Sequence, residues 1–125
     1  MARLAQSGVR SISVVSDDTD VFVLLMHYYA ELHLTCHLTM KSTGSDRTVI
    51  DIAETVKEHL GIVANLLAMH CLSGCDTVAQ LYSIGKGVAL KTLKAGHFLT
   101  KLGNLHIPMA EVISEATLFV AQCYG

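Results

Sequence analysis

Ser11-Ile-Ser-Val-Val-Ser16-Asp-Asp-Thr-Asp20-Val-Phe-Val-Leu-Leu-Met-His27 is the stretch on which the reading of this chain turns. Ser11–Val15 is short, carries β-branched residues at Ile12, Val14 and Val15, and is bounded by Gly8 and by an acidic segment. That pattern predicts a buried strand. Asp17, Asp18 and Asp20 follow at once. From Val21 to Leu32 the sequence is almost continuously apolar. It is long for a strand, so a helix is expected, with Asp18 or Thr19 as its N-cap. A strand that runs through an acidic loop into a helix opens an α/β unit.

Leu34, Cys36, Leu38 and Met40 then alternate with Thr35, His37, Thr39 and Lys41, a period-two strand with one polar face. Ser42–Asp46 predicts a turn, and Thr48–Ile50 a short returning strand. Asp51 followed by Glu54 resembles a capping box. Ile52, Val56, His59 and Leu60 fall on one face of the helix it opens, which Gly61 should stop. Further helices are predicted over Ile62–Leu72, stopping at Gly74, over Val88–Ala95, ended by Gly96, and over Met109–Cys123. The expectation is an α/β fold in which a short, mostly parallel sheet is followed by a helical half. It forms a single domain, 1–125, with an α/β part at 9–61 and a helical part at 62–125 that contains a Gly-turn-helix at 84–95.

Composition narrows the class. The chain has 125 residues, of which 51% are hydrophobic and 16% charged. Roughly 25% charged is ordinary for a soluble protein. So apolar a chain is not disordered. The longest unbroken apolar run, Val21–Met26, is far shorter than the roughly 18 residues of a membrane span. Met1–Gly8 has no apolar segment of the signal-peptide kind. A soluble intracellular protein without a membrane partner is expected. Net charge is −2 and names no partner by itself.

Cys36, Cys71, Cys75 and Cys123 are irregularly spaced, and buried reduced thiols are the first reading. Zinc is the alternative: His33, Cys36 and His37 cluster, as do His70, Cys71 and Cys75, loosely like C-x3-C and H-x3-H ligand pairs. However, Cys71 and Cys75 are joined by an apolar helix end and not by a knuckle turn.

Three features carry chemistry. Asp17, Asp18 and Asp20 place three carboxylates just after a strand, where open α/β sheets bind ligands. Oxygen donors suit a hard cation such as Mg²⁺. Helix capping is the competing role. Asp76 follows Ser73-Gly74-Cys75 and could be a solvated loop residue. Between Asp76 and Glu111 there is no acidic residue, while Lys86, Lys91, Lys94 and Lys101 lie in that interval. The turn Ile84-Gly85-Lys86-Gly87 leads into a helix N-terminus, whose free N–H groups favour a phosphate. An ordinary solvated helix is the competing reading, and no aromatic platform for bases stands beside it.

Taken together these segments resemble a family. Ser16-Asp17-Asp18-Thr19-Asp20 is similar to the S-E-D-x-D loop of the flap-endonuclease (XPG-type, PIN-like) nucleases. Leu72-Ser73-Gly74-Cys75-Asp76 resembles their L-L-G-S-D segment, and Ser83–Leu90 their G-I-G-P-K-R-A-L turn. The resemblance covers roughly Val9 to Ala95. It is stronger still to uncharacterised, transposon-associated animal proteins of this superfamily, which carry S-x-D-T-D-V-x-V-L-L-L-H and then G-C-D-T. It implies a PIN-like domain whose complete form hydrolyses phosphodiesters with Mg²⁺ or Mn²⁺. Asp18, Asp20 and Asp76 would be the catalytic metal ligands. Gly85, Lys86 and Gly87, with Lys91 and Lys94, would hold a nucleic-acid backbone, DNA ahead of RNA. The nucleus is then expected ahead of the cytoplasm. The family's turn proline is absent and Val88 replaces a basic residue. The family's upstream carboxylates have no counterpart among the fifteen residues before Ser16, none of which is acidic. A partial domain is therefore expected, with an exposed apolar face that favours self-association. A non-catalytic nucleic-acid or protein binding module is the alternative.

Overall fold

A computed structural model describes residues 1–46 and 48–125. The chain divides into two compact units, Met1–Ala64 and Asn65–Gly125.

The first unit contains α1 (Ala2–Gln6), β1 (Ser11–Val15), α2 (Thr19–Glu31), β2 (His37–Lys41), β3 (Val49–Asp51) and α3 (Ile52–Glu58). The strands form one sheet in the order β1-β2-β3. β1 and β2 are parallel, with Ser11 opposite His37 and Val15 opposite Lys41. β2 and β3 are antiparallel, with Thr39 opposite Asp51. The sheet is thus mixed, a correction to the mostly parallel arrangement expected. The reason is the connection. α2 supplies the crossover that a parallel pair needs, whereas the short turn after Lys41 can only send the chain back antiparallel. There the Ser42 N–H donates to the Thr48 carbonyl at 2.9 Å.

Strand β2 starts three residues later than the alternation suggests. The Leu34 N–H still donates to Tyr29 at the helix end, and His33 has φ 49°. Pairing begins when the His37 N–H meets the Arg10 carbonyl at 2.8 Å. As the central strand, β2 buries Leu38, Thr39 and Met40 in succession. Thr39 belongs to the polar half of the alternation, yet it is buried because its hydroxyl pairs with that of Ser13 at 3.0 Å across the parallel ladder. Buried hydroxyls need such partners. α2 packs on α3, and α3 on β2. Val23, Leu25, Met26, Leu38, Ile52 and Val56 form the core. β1 is an edge strand, and its outer edge pairs with no strand among the described residues. Ile12 and Val14 are half-buried, but Val15 is 64% exposed.

The second unit holds most of α4 (Val63–Leu72), then α5 (Lys86–Lys94) and α6 (Met109–Tyr124). α5 packs on α6 around Ala89, Leu93, Val112, Phe119 and Cys123. α5 begins at Lys86, two residues before the expected start. Gly85, extended at φ −90° and ψ 175°, is its N-cap, and the Gly85 carbonyl already accepts from the Ala89 N–H. Gly96 has φ 100° and closes the helix as expected. The segment before α6 is anchored by Glu115, which accepts from the Thr100 hydroxyl and the Lys101 N–H, each at 2.8 Å. Among the described residues, no helix is long and apolar enough to cross a membrane.

Candidate metal centre

Asp18 ends the turn after β1 and caps α2: its Oδ1 accepts from the Asp20 N–H at 2.9 Å. The Ser16 hydroxyl in turn accepts from the Asp18 N–H at 3.1 Å. Local chemistry therefore settles this conformation, since short polar side chains satisfy the free N–H groups of a helix start. Capping occupies one oxygen of Asp18 and leaves the other available. The two readings of this loop, cap and ligand, are compatible in one side chain.

Asp17 points elsewhere. Its carboxylate accepts from the Ser42 hydroxyl at 2.7 Å, from the Thr43 N–H at 3.0 Å, and from the Thr43 hydroxyl. These bonds, the Thr43 hydroxyl first, hold its pKa below the ordinary carboxylate value. Asp17 thus ties the loop after β1 to the loop after β2. Nothing in the spacing of Asp17 from Thr43 announces this contact, because the two meet only through the parallel strand pairing.

Asp76 lies in the turn that follows α4, where Cys75 and Val78 form an isolated antiparallel bridge. Gly74 makes that turn possible. Its φ is 107°, and a Cβ there would stand 2.6 Å from the Gln80 Cα. Asp18 and Asp20, both in the first unit, each offer a carboxylate oxygen, and those oxygens lie within 4.8 Å of one another, a pair that could share a metal ion; Asp76 belongs to the second unit. Asp18 and Asp76 are exposed and Asp20 is half-buried. The donor set consists of anionic oxygens, which suits hard cations over zinc. Among the described residues, no comparable group includes the histidines or cysteines that could suggest zinc.

The lysines of the α5 segment divide into two kinds. The Lys86 ammonium donates to the His70 carbonyl at 2.5 Å, to the Ser73 hydroxyl at 2.7 Å and to the Gly74 carbonyl. It sits on the carbonyl end of α4, where a cation is favoured. Three protein oxygens take up its three donors. Lys91 and Lys94 are exposed on α5. Gly85 and Gly87 flank the start of the helix, with nothing within 4 Å of a Cβ at either. A recess on this unit is lined by Lys91, His97, Gln122 and Tyr124, among others.

A second recess adjoins the acidic loop. Asp17, Asp18, Thr19, Phe22, Met40 and Thr48 are among its walls. The strand pattern marks Met40 and Ile50 as apolar and no more, since nothing in it says which end of a sheet stays open. Comparison with protein-family models, with curated proteins and with solved structures finds no match for this chain.

Proposed function

We propose that this chain carries the metal-binding core of a PIN-like, flap-endonuclease-like domain, and that its chemistry is divalent-metal-dependent phosphodiester hydrolysis of nucleic acid. The observation that carries the reading is the pair of neighbouring carboxylates, Asp18 and Asp20, just beyond the carboxyl end of β1; Asp76 is added to them by the sequence resemblance. Those residues are the ones that the sequence resemblance picks out as ligands. Mg²⁺ or Mn²⁺ suits a site built from carboxylates. When bound, the ion would act as a Lewis acid toward a phosphodiester oxygen. Asp18 and Asp20 would hold it, and the capping bond from the Asp20 N–H to Asp18 fixes the loop before any ligand arrives. Lys91 and Lys94 offer positive charge to a phosphate backbone, contacts that position a substrate without reading its sequence. DNA ranks ahead of RNA, and the nucleus ahead of the cytoplasm, on the resemblance alone.

The size of the ligand set favours a second reading. Two-metal hydrolysis holds two ions about 3.5–4 Å apart. Even with Asp76 added, as the resemblance implies, three aspartates can hold one ion and share part of another. A domain that keeps this fold to bind nucleic acid or protein, without cleaving, needs no more.

One assay separates the two. The protein is incubated with end-labelled single-stranded, duplex and flapped DNA in Mg²⁺, Mn²⁺ or EDTA, beside Asp18→Asn and Asp20→Asn. Cleavage that needs the metal and both aspartates supports hydrolysis. Binding that is the same in wild type and both variants, without cleavage, supports the binding module. Cleavage that survives in the variants overturns the metal site.

A further inference from the structure

The recess beside the acidic loop has a composition of its own. It measures about 230 Å³ and opens at the carboxyl ends of β1 and β2. Phe22, Met40 and Ile50 supply an apolar interior, and the hydroxyls of Ser16, Thr19, Ser42 and Thr48 stand around it. Its charged lining among the described residues is Asp17 and Asp18. Ligand pockets usually run from about 300 to 1,000 Å³. This one is sized for a single small ring system and its substituent.

Charge then restricts the occupant. Two carboxylates in the wall repel a phosphate or carboxylate that would enter without a cation. They tolerate a neutral group with hydrogen-bond donors. The apolar interior calls for a flat or aliphatic surface, and the hydroxyls call for a group that donates and accepts at its edges. A nucleobase with its sugar meets all three demands. Its rings have apolar faces that gain from contact with an aromatic side chain. Its exocyclic amine and sugar hydroxyls can donate to carboxylate and hydroxyl oxygens.

Position completes the argument. Asp18 is both a wall of this recess and, with Asp20, one of a pair of carboxylates whose oxygens lie within 4.8 Å of each other. Where its second oxygen holds a cation that carries a phosphate, the sugar and base attached to that phosphate lie next to the recess. The walls are also held in place beforehand. Asp17 clasps Ser42 and Thr43, so the loops after β1 and β2 form a fixed rim. Pre-formed sites lose less entropy on binding.

We infer that this recess is a nucleoside subsite, which receives the base and sugar of the one nucleotide whose phosphate is held at Asp18 and Asp20. The inference rests on the metal-dependent reading above and deepens it, because it assigns the substrate a single nucleotide at this position. A base lodged here has its edges on protein hydroxyls.

The test uses the whole chain and three probes: adenosine, adenosine 5′-monophosphate with Mg²⁺, and inorganic phosphate with Mg²⁺. Binding is followed by ¹H–¹⁵N chemical shifts and by titration calorimetry. Adenosine 5′-monophosphate is expected to bind at least tenfold more tightly than phosphate, and to shift the amides of Ser16, Thr19, Phe22, Ser42 and Thr48. Thr48→Trp fills the recess from an exposed position; the hydroxyl it removes donates to Asp46 at 3.5 Å, which is outside the Asp18–Asp20 pair. It should abolish the tenfold preference and keep the Mg²⁺-dependent binding of phosphate. Equal affinity for phosphate and nucleotide, or nucleotide shifts confined to other residues, overturns the subsite and leaves the metal reading standing. Adenosine shifts at the recess that persist in Asp18→Asn, with phosphate binding that ignores Mg²⁺, support the subsite and overturn the metal reading. The wild-type shifts decide the matter on their own should Thr48→Trp fail to fold.

Discussion

The carboxylate of Asp17 accepts from both the backbone N–H and the hydroxyl of Thr43, a residue twenty-six positions further along the chain, with the N–H at 3.0 Å. This clasp closes the gap between the loops that leave two parallel strands. It also frees the neighbouring Asp18 for a different task, because the first aspartate of the acidic run is fully engaged in structure.

The clasp makes stability depend on pH. The folded pKa of Asp17 lies below its ordinary value of 3.8, chiefly because the Thr43 hydroxyl and then the Ser42 hydroxyl stabilise the ionised form. A carboxylate with a depressed folded pKa contributes stability above its unfolded pKa and loses it as pH falls through the folded one. The loss therefore falls below pH 3.8. Asp51 behaves alike, its pKa lowered first by the N–H of Glu54, whose bond caps α3. Urea melts between pH 2 and pH 6 should show a wild-type decline on acidification that is smaller in Asp17→Asn. An identical decline in both would remove the clasp as its source.

Mg²⁺ should stabilise the fold through Asp18 and Asp20. A ligand that binds only the folded state stabilises by about 2.7 kcal/mol at one hundred times its Kd. Thermal melts across a Mg²⁺ series are expected to rise with concentration for wild type and to stay flat for Asp20→Asn. Ca²⁺ and K⁺ at matched ionic strength separate site binding from general screening of charge. A wild-type melting temperature that Mg²⁺ leaves unmoved leaves Asp18 with capping alone.

Lys86 should behave differently from Lys91 and Lys94. Hydrogen bonds to a charged group are worth about 1.5–3 kcal/mol, and Lys86→Met strips the ammonium from the end of α4. It should lower the melting temperature, by an amount equivalent to about 2–3 kcal/mol. Lys91→Ala and Lys94→Ala should leave the melt nearly unchanged and weaken DNA binding with a shallower salt dependence. The reverse pattern would place Lys86 at the nucleic acid and the other two in the fold.

Gly74→Ala is expected to be among the more damaging single-methyl changes. It pushes a Cβ against the Gln80 backbone at 2.6 Å and holds an L residue at φ 107°. Residues forced into such backbone regions cost about 1–3 kcal/mol before the clash is counted. Gly85→Ala, with φ −90° and open space around its Cβ, serves as the control and should cost far less. Equal losses for the two would show that backbone conformation is not what Gly74 supplies.

Local chemistry was enough to place many elements. The β-branched run Ser11–Val15, the cap at Asp18, the cap at Asp51 and the stop at Gly96 each depend on residues within a few positions, so a reader of the chain finds them. The nomination of Asp18, Asp20 and Asp76 as ligands is what the resemblance of their segments implies; residue type alone marks the acidic loop at Asp17, Asp18 and Asp20 and leaves Asp76 a solvated loop residue. Pairing and burial follow another logic. That β3 runs antiparallel depends on how tightly the chain turns after Lys41, and that Thr39 is buried depends on a hydroxyl twenty-six residues away. Lys86 looks in sequence like its basic neighbours, and only the arrival of the α4 carbonyls beside it turns it inward. Asp17 is likewise one of three adjacent carboxylates until β1 and β2 align and bring Thr43 to it. Short-range hydrogen bonding is written in neighbouring residues, whereas the partner of a side chain across a sheet or at the end of a helix is chosen by packing, which no local pattern encodes.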